Sequence, residues 1–155
     1  MRIGLGYDAH RFAEGTKLVL GGVEIAYDKG LAAHSDGDVL IHALCDALLG
    51  AMALGDIGQH FPDTSSDYKG IDSRLLLRKV DKMMRQRGLK LVNADMTLVA
   101  QEPRLAIHIE AMRTNLAADL NTAKMNISVK ATTTEKMGFC GRGEGIAAMA
   151  TVLIE

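Results

Sequence analysis

The chain has 155 residues, enough for a single domain with a sizeable core, and 48% of them are hydrophobic whereas only 4% are aromatic. Its formal net charge of −1 gives no support to a nucleic-acid or membrane-surface partner, so local groups would have to bind an anionic substrate. Cys45 and Cys140 have neither zinc-ribbon nor redox spacing, and no segment resembles a signal peptide or a membrane span, so we expect a cytoplasmic protein with reduced thiols.

The first predicted element is a strand over residues 2–10, because apolar residues alternate there with another set. That other set is Gly4, Gly6, Asp8 and His10, which all fall on one face of the strand. The two glycines fit a bend or bulge, or they leave room for a ligand or another backbone to lie close. Asp8 and His10 lie two residues apart on this face and can converge on a single ion.

The second strong element is a helix predicted over residues 36–53. Asp38, His42 and Asp46 recur every four residues, so they form one polar stripe beside a broad apolar face. Residues 30–68 contain no Lys, Arg or Glu, although an ordinary solvated helix face would carry them. We therefore favour a partly enclosed metal or acid–base site over a solvent-facing stripe.

The remaining elements follow from hydrophobic periodicity and from capping and turn residues. In chain order the sequence first predicts a hairpin with its turn at Gly21–Gly22, then the first helix with Ser35 or Asp36 as its cap, and a loop over 55–64. A second helix is predicted over 72–88, with Leu75, Leu76 and Val80 facing the core. A strand over 89–101, a helix over 103–119, and strands over 127–131 and 146–154 complete the chain. This order predicts an α/β (α+β) two-layer sandwich, in which helices cover one face of a mixed β-sheet. The uncovered face of this single domain would be buried by another copy of the chain.

Asp8, His10 and His42, here called the Asp–His–His cluster, supply one carboxylate and two imidazoles. These are the donors of a catalytic zinc ion with an open fourth position, and a non-haem iron site uses the same ligand types. Asp38 and Asp46 are candidates for orienting His42, although Asp38 is equally suited to stabilising the helix N-terminus.

Thr132 to Glu135 follow a predicted strand and precede several glycines, an arrangement that suits an anion cradle. Glu135 is a candidate Mg²⁺ ligand where a phosphate lies nearby, and otherwise an ordinary solvated carboxylate. Cys45 is a competing soft ligand beside the polar stripe, but a buried thiol is its commoner fate. The residues alone therefore indicate a metal-assisted enzyme acting on a small phosphorylated substrate.

Six motifs spread over the chain form a specific combination: GLGYDAHRF at 4–12, AHSDGD at 33–38, LGDIG at 54–58, FPD at 61–63, ATTTEK at 131–136 and GFCGRGEG at 138–145. Together they resemble the 2-C-methyl-D-erythritol 2,4-cyclodiphosphate synthases of the non-mevalonate isoprenoid pathway. The resemblance implies a lyase whose substrate is 4-diphosphocytidyl-2-C-methyl-D-erythritol 2-phosphate. In the implied reaction, the 2-phosphate of this substrate attacks the β-phosphorus of the same molecule, which expels CMP and closes a cyclic diphosphate.

The resemblance also implies cofactors and roles for individual residues. It places one zinc ion per subunit in the Asp–His–His cluster, and Mg²⁺ or Mn²⁺ on Glu135 together with the substrate. Positions matching His34 and Thr133 are catalytic, since they stabilise the transition state.

The implied substrate contacts form a larger set, in which residues 56–58 and 61–65 close over the erythritol part and residues 100–106, with Thr132 and Thr133, hold cytidine. The set consists of Asp8, Ala9, His10, His34, Ser35, Asp56, Ile57, Gly58, Phe61, Pro62, Asp63, Thr64, Ser65, Ala100, Gln101, Glu102, Pro103, Arg104, Leu105, Ala106, Thr132, Thr133, Thr134, Glu135, Phe139 and Arg142.

The family forms homotrimers with active sites between subunits, so the resemblance implies the same assembly here. Phe139, Arg142 and Glu144 match residues near a central cavity that holds an isoprenoid diphosphate in some members. Two other interpretations stay open at this point. One is a non-catalytic trimer that binds isoprenoid diphosphate, and the other is a metal-dependent phosphohydrolase that gives a linear product.

Overall fold

The structure is a computed structural model that describes residues 1–62 and 70–155. Its strands are β1 (Arg2–Ala13), β2 (Leu18–Leu20), β3 (Val23–Ile25), β4 (Gly30–Leu31), β5 (Leu91–Val99), β6 (Ile127–Thr132) and β7 (Gly145–Ile154). Its helices are α1 (Val39–Ala51), α2 (Ile57–His60), α3 (Ser73–Gln86), α4 (Ile109–Asp119) and α5 (Gly138–Gly141). Among these described helices, none has the length and apolar character needed to cross a membrane.

Within the described residues, five strands form one mixed sheet in the order β4-β1-β7-β5-β6, with β5 and β6 parallel and the other neighbours antiparallel. β2 and β3 form a separate hairpin whose turn is Gly21–Gly22. Both glycines have positive φ, 58° and 69°, which a two-residue hairpin turn favours. The predicted mixed sheet and the predicted hairpin are confirmed.

Helix α1 lies at the centre of the molecule, with 11 of its 13 residues buried. It packs against β1 at very short range, because Gly4 and Gly6 face it. A Cβ atom on Gly6 would lie 1.9 Å from the carbonyl oxygen of Ala43, and one on Gly4 equally close to that of Ala47. Of the two interpretations of these glycines, room for another backbone is therefore the correct one.

The opposite face of the sheet carries large apolar side chains that no part of the described chain covers. Ile3, Leu5 and Tyr7 of β1 are 73%, 71% and 55% exposed. Met149 of β7 lies opposite Tyr7 in the antiparallel register and is 42% exposed. The helices thus cover one face of the sheet, as predicted.

The predicted start of the first helix was wrong. α1 begins at Val39, and its N-cap is Asp38, whose side chain accepts a hydrogen bond from the backbone N–H of Ile41. The carboxylate of Asp36 is engaged elsewhere, since it accepts hydrogen bonds from the backbone and the hydroxyl of Ser73. A tertiary contact has therefore displaced a good capping residue from the cap position.

Two other predictions about helices were also wrong. α4 begins at Ile109, after a 3₁₀ turn over Ala106–His108, and not at Pro103. In α3 it is Leu77 that is fully buried beside Leu76, whereas Leu75 is 43% exposed. The predicted start of this helix near residue 72 is confirmed, and Asp72 is the N-cap of α3.

Candidate active site

The Asp–His–His cluster assembles where the helix-facing side of β1 meets the first turn of α1. Oδ2 of Asp8 lies 2.8 Å from Nε2 of His10 and 3.0 Å from Nδ1 of His42, and the two ring nitrogens are 3.2 Å apart. Ligand atoms around a tetrahedral zinc ion, at bond lengths of about 2.0–2.1 Å, stand roughly 3.3 Å apart. The three atoms therefore form a triangle of the size that one metal ion requires, and the predicted convergence is confirmed.

Both imidazole rings are held with the correct nitrogen toward the cluster. Nδ1 of His10 lies 2.8 Å from the carbonyl oxygen of Ala32, which can only accept, so this nitrogen donates and Nε2 keeps its lone pair. Nε2 of His42 lies 2.9 Å from Oγ of Ser73 and 3.1 Å from Oγ of Ser35, which leaves Nδ1 for the cluster. The donor set thus fits a metal ion in chemistry as well as in spacing.

The electrostatics of the cluster favour an ionised Asp8. Burial acts to raise the pKa of this carboxyl, but the hydrogen bonds and charges of His10 and His42 outweigh it and hold the pKa far below its usual range. The hydrogen bond to Asp8 raises the pKa of His10, and burial of the ring opposes this. A metal ion would therefore meet a carboxylate already in its ligating form.

A cleft of about 430 Å³ opens beside the cluster, and we call it the metal cleft. Its walls include four of the eight residues predicted to bind the erythritol part of a substrate. It is lined by Asp8, His10, Ala33, His34, Ser35, His42, Asp46, Ile57, Gly58, Phe61, Pro62, Ile71 and Leu76. Of the other predicted contacts, Ala9 is exposed on β1 and Asp56 is the exposed N-cap of α2, while Asp63, Thr64 and Ser65 lie outside the described residues.

The structure gives Asp38 and Asp46 other tasks than orienting His42. The fully buried Asp38 accepts hydrogen bonds from the backbone N–H groups of Gly21 and Gly22, at 3.0 and 2.7 Å, in addition to capping α1. Burial raises the pKa of Asp38 to about 6 although these hydrogen bonds oppose the shift. Asp46 accepts a hydrogen bond of 2.7 Å from the backbone of Ile57, so this carboxylate holds a segment that lines the cleft, whereas Asp38 holds the hairpin turn.

Cys45 is a core residue and does not compete for a metal. Its side chain is fully buried, and burial raises the pKa of the thiol well above its usual value. A protonated, enclosed thiol acts as a small apolar group, which is the fate that the sequence favoured.

A second cleft, of about 200 Å³, lies where β5 and β6 end, and we call it the strand-end cleft. Its walls contain the segment predicted to hold cytidine, apart from the exposed Glu102. It is lined by Ala100, Gln101, Pro103, Arg104, Leu105, Ala106, Ala131, Thr132 and Thr133.

Glu135 lies on the exposed turn that follows the strand-end cleft. Its Oε1 accepts a hydrogen bond of 2.9 Å from the hydroxyl of Thr133, and its backbone N–H donates to the same hydroxyl. Glu135 and Lys136 both adopt positive φ, 53° and 65°, a region that residues other than glycine rarely enter. Such backbone strain is most often found at functional turns.

A third hollow, also of about 200 Å³, lies between β1, β7 and α5 on the side of the sheet that the helices leave open. Phe139 and Thr134 line it together with Tyr7. Nearby, Nε of Arg142 lies 2.6 Å from Oε1 of Glu144, and both side chains are exposed.

One chain does not bring the metal cleft and the strand-end cleft together. Asp8 pairs with Ala148, Ala148 with Leu98, and Leu98 with Ala131, so these four residues form one row across the sheet. Three strand spacings separate the two ends of this row, a distance of about 14 Å. The predicted metal ligands of β1 and of the segment after β6 therefore belong to separate half-sites.

Sequence reasoning missed the residues that orient the two histidines, namely Ser73, Asp36 and the carbonyl of Ala32. The Ser73–His42 contact joins residues 31 positions apart, and the His10–Ala32 contact joins residues 22 apart. Contacts between residues so far apart leave no local sequence pattern that predicts them. The one indication for Ser73 was its position at the predicted start of a helix.

Comparisons with known proteins were consistent along the whole chain. The model of the YgbB family matches residues 1–155. A protein of Saccharophagus degradans named 2-C-methyl-D-erythritol 2,4-cyclodiphosphate synthase is 64% identical over 155 residues, which span 100% of both chains. A solved structure of a synthase of that name, described as a bound form with CDP, has a TM-score of 0.91 and 38% identity over 99% of this chain and 100% of its own. The bifunctional IspDF from Campylobacter jejuni has a TM-score of 0.95 and 46% identity over 99% of this chain, which covers 42% of that longer protein.

Proposed function

The chain belongs to the YgbB family, and we propose that the metal cleft is the site of its ring-closing phosphoryl transfer. The chain is an enzyme of isoprenoid-precursor biosynthesis that converts 4-diphosphocytidyl-2-C-methyl-D-erythritol 2-phosphate to 2-C-methyl-D-erythritol 2,4-cyclodiphosphate and CMP. The observation that carries the assignment of the site is the metal-sized triangle of Asp8, His10 and His42, which opens into the same cleft as His34 and Ser35.

Zinc is the ion that we assign to the Asp–His–His cluster, because two imidazoles and one carboxylate match its preferences. When bound, it would polarise the attacked phosphate and offset part of its negative charge. Glu135 is an exposed hard ligand suited to Mg²⁺ or Mn²⁺ shared with substrate phosphates.

The chain's own residues then have to bring two anionic groups of one substrate into line. His34 and Ser35 lie on the wall of the metal cleft, where they can donate hydrogen bonds to phosphate oxygens. Phe61 and Pro62 form an apolar wall that excludes water from the reacting groups. Holding the two groups in an attack geometry supplies much of the acceleration in a reaction that needs little covalent help.

The strand-end cleft supplies the other end of the substrate. Residues 100–106 would enclose the cytosine, and Thr132 and Thr133 would face the diphosphate with their hydroxyl groups. Thr133 already donates to Glu135, so a bound cation and this hydroxyl would act on the same phosphate. His34 from one side and Thr133 from the other would stabilise the charge that develops in the transition state.

We further propose a homotrimer in which the metal cleft of one chain faces the strand-end cleft of the next. The separation of about 14 Å between the two half-sites is too long for adjacent phosphates of one substrate. The uncovered apolar face around Leu5 and Tyr7 is of the kind that subunit contacts bury. In such a ring Phe139 and Arg142 would border a central cavity for an isoprenoid diphosphate, and a cytoplasmic location also stays a prediction.

Phosphorus NMR of the reaction product tests the proposal. The enzyme, supplied with Zn²⁺ and Mg²⁺, should release CMP and give the two coupled resonances of a cyclic diphosphate. His42→Ala should give neither. Free phosphate or a linear product would instead support a phosphohydrolase, and intact substrate at full metal loading would support a non-catalytic binding protein.

A further inference from the structure

A chain of hydrogen bonds leads away from the Asp–His–His cluster through two residues that the reaction does not use directly. Nε2 of His42 lies 2.9 Å from Oγ of Ser73, and Oγ of Ser73 donates to Oδ1 of Asp36. The backbone N–H of Ser73 donates to the other carboxylate oxygen of Asp36 at 3.0 Å. Ser73 is completely buried and His42 is 9% exposed, so the contact between them is shielded from water.

The direction of these hydrogen bonds follows from the chemistry of the groups. An ionised carboxylate only accepts, so the single hydroxyl proton of Ser73 points toward Asp36. Ser73 must then accept from His42, which places the ring proton of His42 on Nε2. Nδ1 is left with its lone pair directed at the cluster, where a metal ion needs it.

We propose that Ser73 and Asp36 act as positioning residues for the metal site, by fixing the tautomer and the ring orientation of His42. The inference rests on the proposed role of the Asp–His–His cluster and adds residues that make His42 a ligand through Nδ1. Partners of this kind strengthen metal-ligating histidines in general.

The same two residues connect the metal site to the segment that borders the cleft. The backbone N–H of Asp36 donates to the carbonyl of Ile71, and that of Gly70 donates to the carbonyl of His34, at 3.0 and 2.7 Å. Residues 34–36 and 70–73 are thus joined by backbone and side-chain hydrogen bonds. The wall that carries His34 and the outer hydrogen bond of His42 are therefore fixed by one structural unit.

A purely structural role at the start of α3 is the competing explanation, and Asp72 provides the control for it. Asp72 is the N-cap of α3, and its exposed side chain accepts a hydrogen bond of 2.8 Å from the backbone of Arg74. Asp72→Ala weakens the same helix start without touching His42. Asp36→Asn is almost isosteric, but its amide can donate to Ser73, which allows the hydroxyl to turn toward His42 and favours the wrong tautomer.

The test measures zinc affinity of the metal-stripped full chain by competition with a chromophoric chelator, for wild type, Ser73→Ala, Asp36→Asn and Asp72→Ala. Ser73→Ala and Asp36→Asn should each bind Zn²⁺ about tenfold or more weakly, and Asp72→Ala should match wild type. In zinc-loaded protein with ¹⁵N-labelled histidine, the Hε2 proton of His42 should be visible in wild type and Asp72→Ala. In Ser73→Ala this proton should exchange faster with water, because the hydroxyl of Ser35, 3.1 Å from Nε2, then replaces the shorter contact to Ser73.

The possible results separate this inference from the proposed function. Wild-type affinity and a protected Hε2 proton in Ser73→Ala would overturn the positioning role while leaving the metal site intact. Equal losses of zinc affinity in Asp72→Ala and Ser73→Ala would also overturn it, because a weakened start of α3 would then explain both losses. Zinc that binds His42→Ala as tightly as wild type would overturn the metal site itself, and the positioning role with it.

Discussion

The metal cleft and the strand-end cleft are built in opposite ways. The candidate ligands of the first are set by packed secondary structure, since Asp8 and His10 lie on the long strand β1 and His42 on the largely buried helix α1. The second is formed by strand ends and turns, and its Thr132, Thr133 and Glu135 are all exposed. A single chain therefore brings together three groups that could hold a metal ion, whereas the residues after β6 are exposed.

The two clefts also differ in how closely their residues are packed. Gly4 and Gly6 bring α1 against β1, and the three candidate ligand atoms lie within 3.2 Å of one another. Glu135, by comparison, is held only by local hydrogen bonds to Thr133. We expect the metal cleft to be preorganised and the cation at Glu135 to depend on substrate phosphates.

Loss of a ligand from the metal cleft should have the largest effect. His42→Ala should bind no stoichiometric zinc and should lose more than ~100-fold in activity, because even outer partners of metal ligands cost 10–100-fold. Metal analysis and a CMP-release assay measure the two effects. His60→Ala is the control for zinc content, since it also removes an imidazole but His60 lies outside the cluster, with its Nε2 2.9 Å from the carbonyl oxygen of Leu54. Full zinc occupancy in His42→Ala would refute the ligand assignment.

The division into two half-sites predicts complementation between two inactive variants. His42→Ala loses the metal cleft and Glu135→Ala loses the strand-end half, but mixed trimers contain some interfaces with both halves intact. Random assembly at equal amounts should restore about one quarter of wild-type activity. Native mass spectrometry verifies the mixing, and CMP release measures recovery. Mixed trimers that stay inactive at every ratio would mean that each site is built within one chain.

The glycine contact beneath the metal cleft can be tested by adding one methyl group. Gly6→Ala places a Cβ 1.9 Å from the backbone oxygen of Ala43, so α1 must move, and we expect a loss of about 3 kcal/mol in the free energy of unfolding. Gly50→Ala adds the same group on α1 where nothing lies within 4 Å, and it should gain up to about 1 kcal/mol. Urea denaturation compares the two, and equal stabilities would contradict the proposed close packing.

The smallest effect is expected from a conservative change in the strand-end half. Glu135→Gln keeps the size of the side chain but removes the charge, so the Mg²⁺ concentration for half-maximal activity should rise roughly tenfold, equivalent to about 1.4 kcal/mol. Its zinc content should not change. Glu110→Gln removes the charge of another exposed glutamate, which lies on α4, and it serves as the control. A normal Mg²⁺ dependence in Glu135→Gln would reduce Glu135 to a surface charge.

Much of the fold could be predicted from local patterns. The alternation over β1, the Gly21–Gly22 turn and the start of a helix near residue 72 each depend on residues that are neighbours in sequence, and all three were confirmed. The cap at Asp36 was wrong because a partner 37 residues away engages its carboxylate. The prediction that Leu75 faces the core was wrong because α3 turns Leu76 and Leu77 inward and leaves Leu75 exposed.

The sequence by itself indicated the Asp–His–His cluster, since a two-residue spacing puts Asp8 and His10 on one face of a strand and His42 belongs to a polar stripe on the following helix. Only the tertiary structure decided what surrounds it. Asp38 and Asp46, which share the helix stripe with His42, bind loop backbone instead, and Ser73 takes the place beside the ring. The physical reason is that helical spacing specifies which residues share a face, whereas a side chain's partner depends on which distant segment packs against that face.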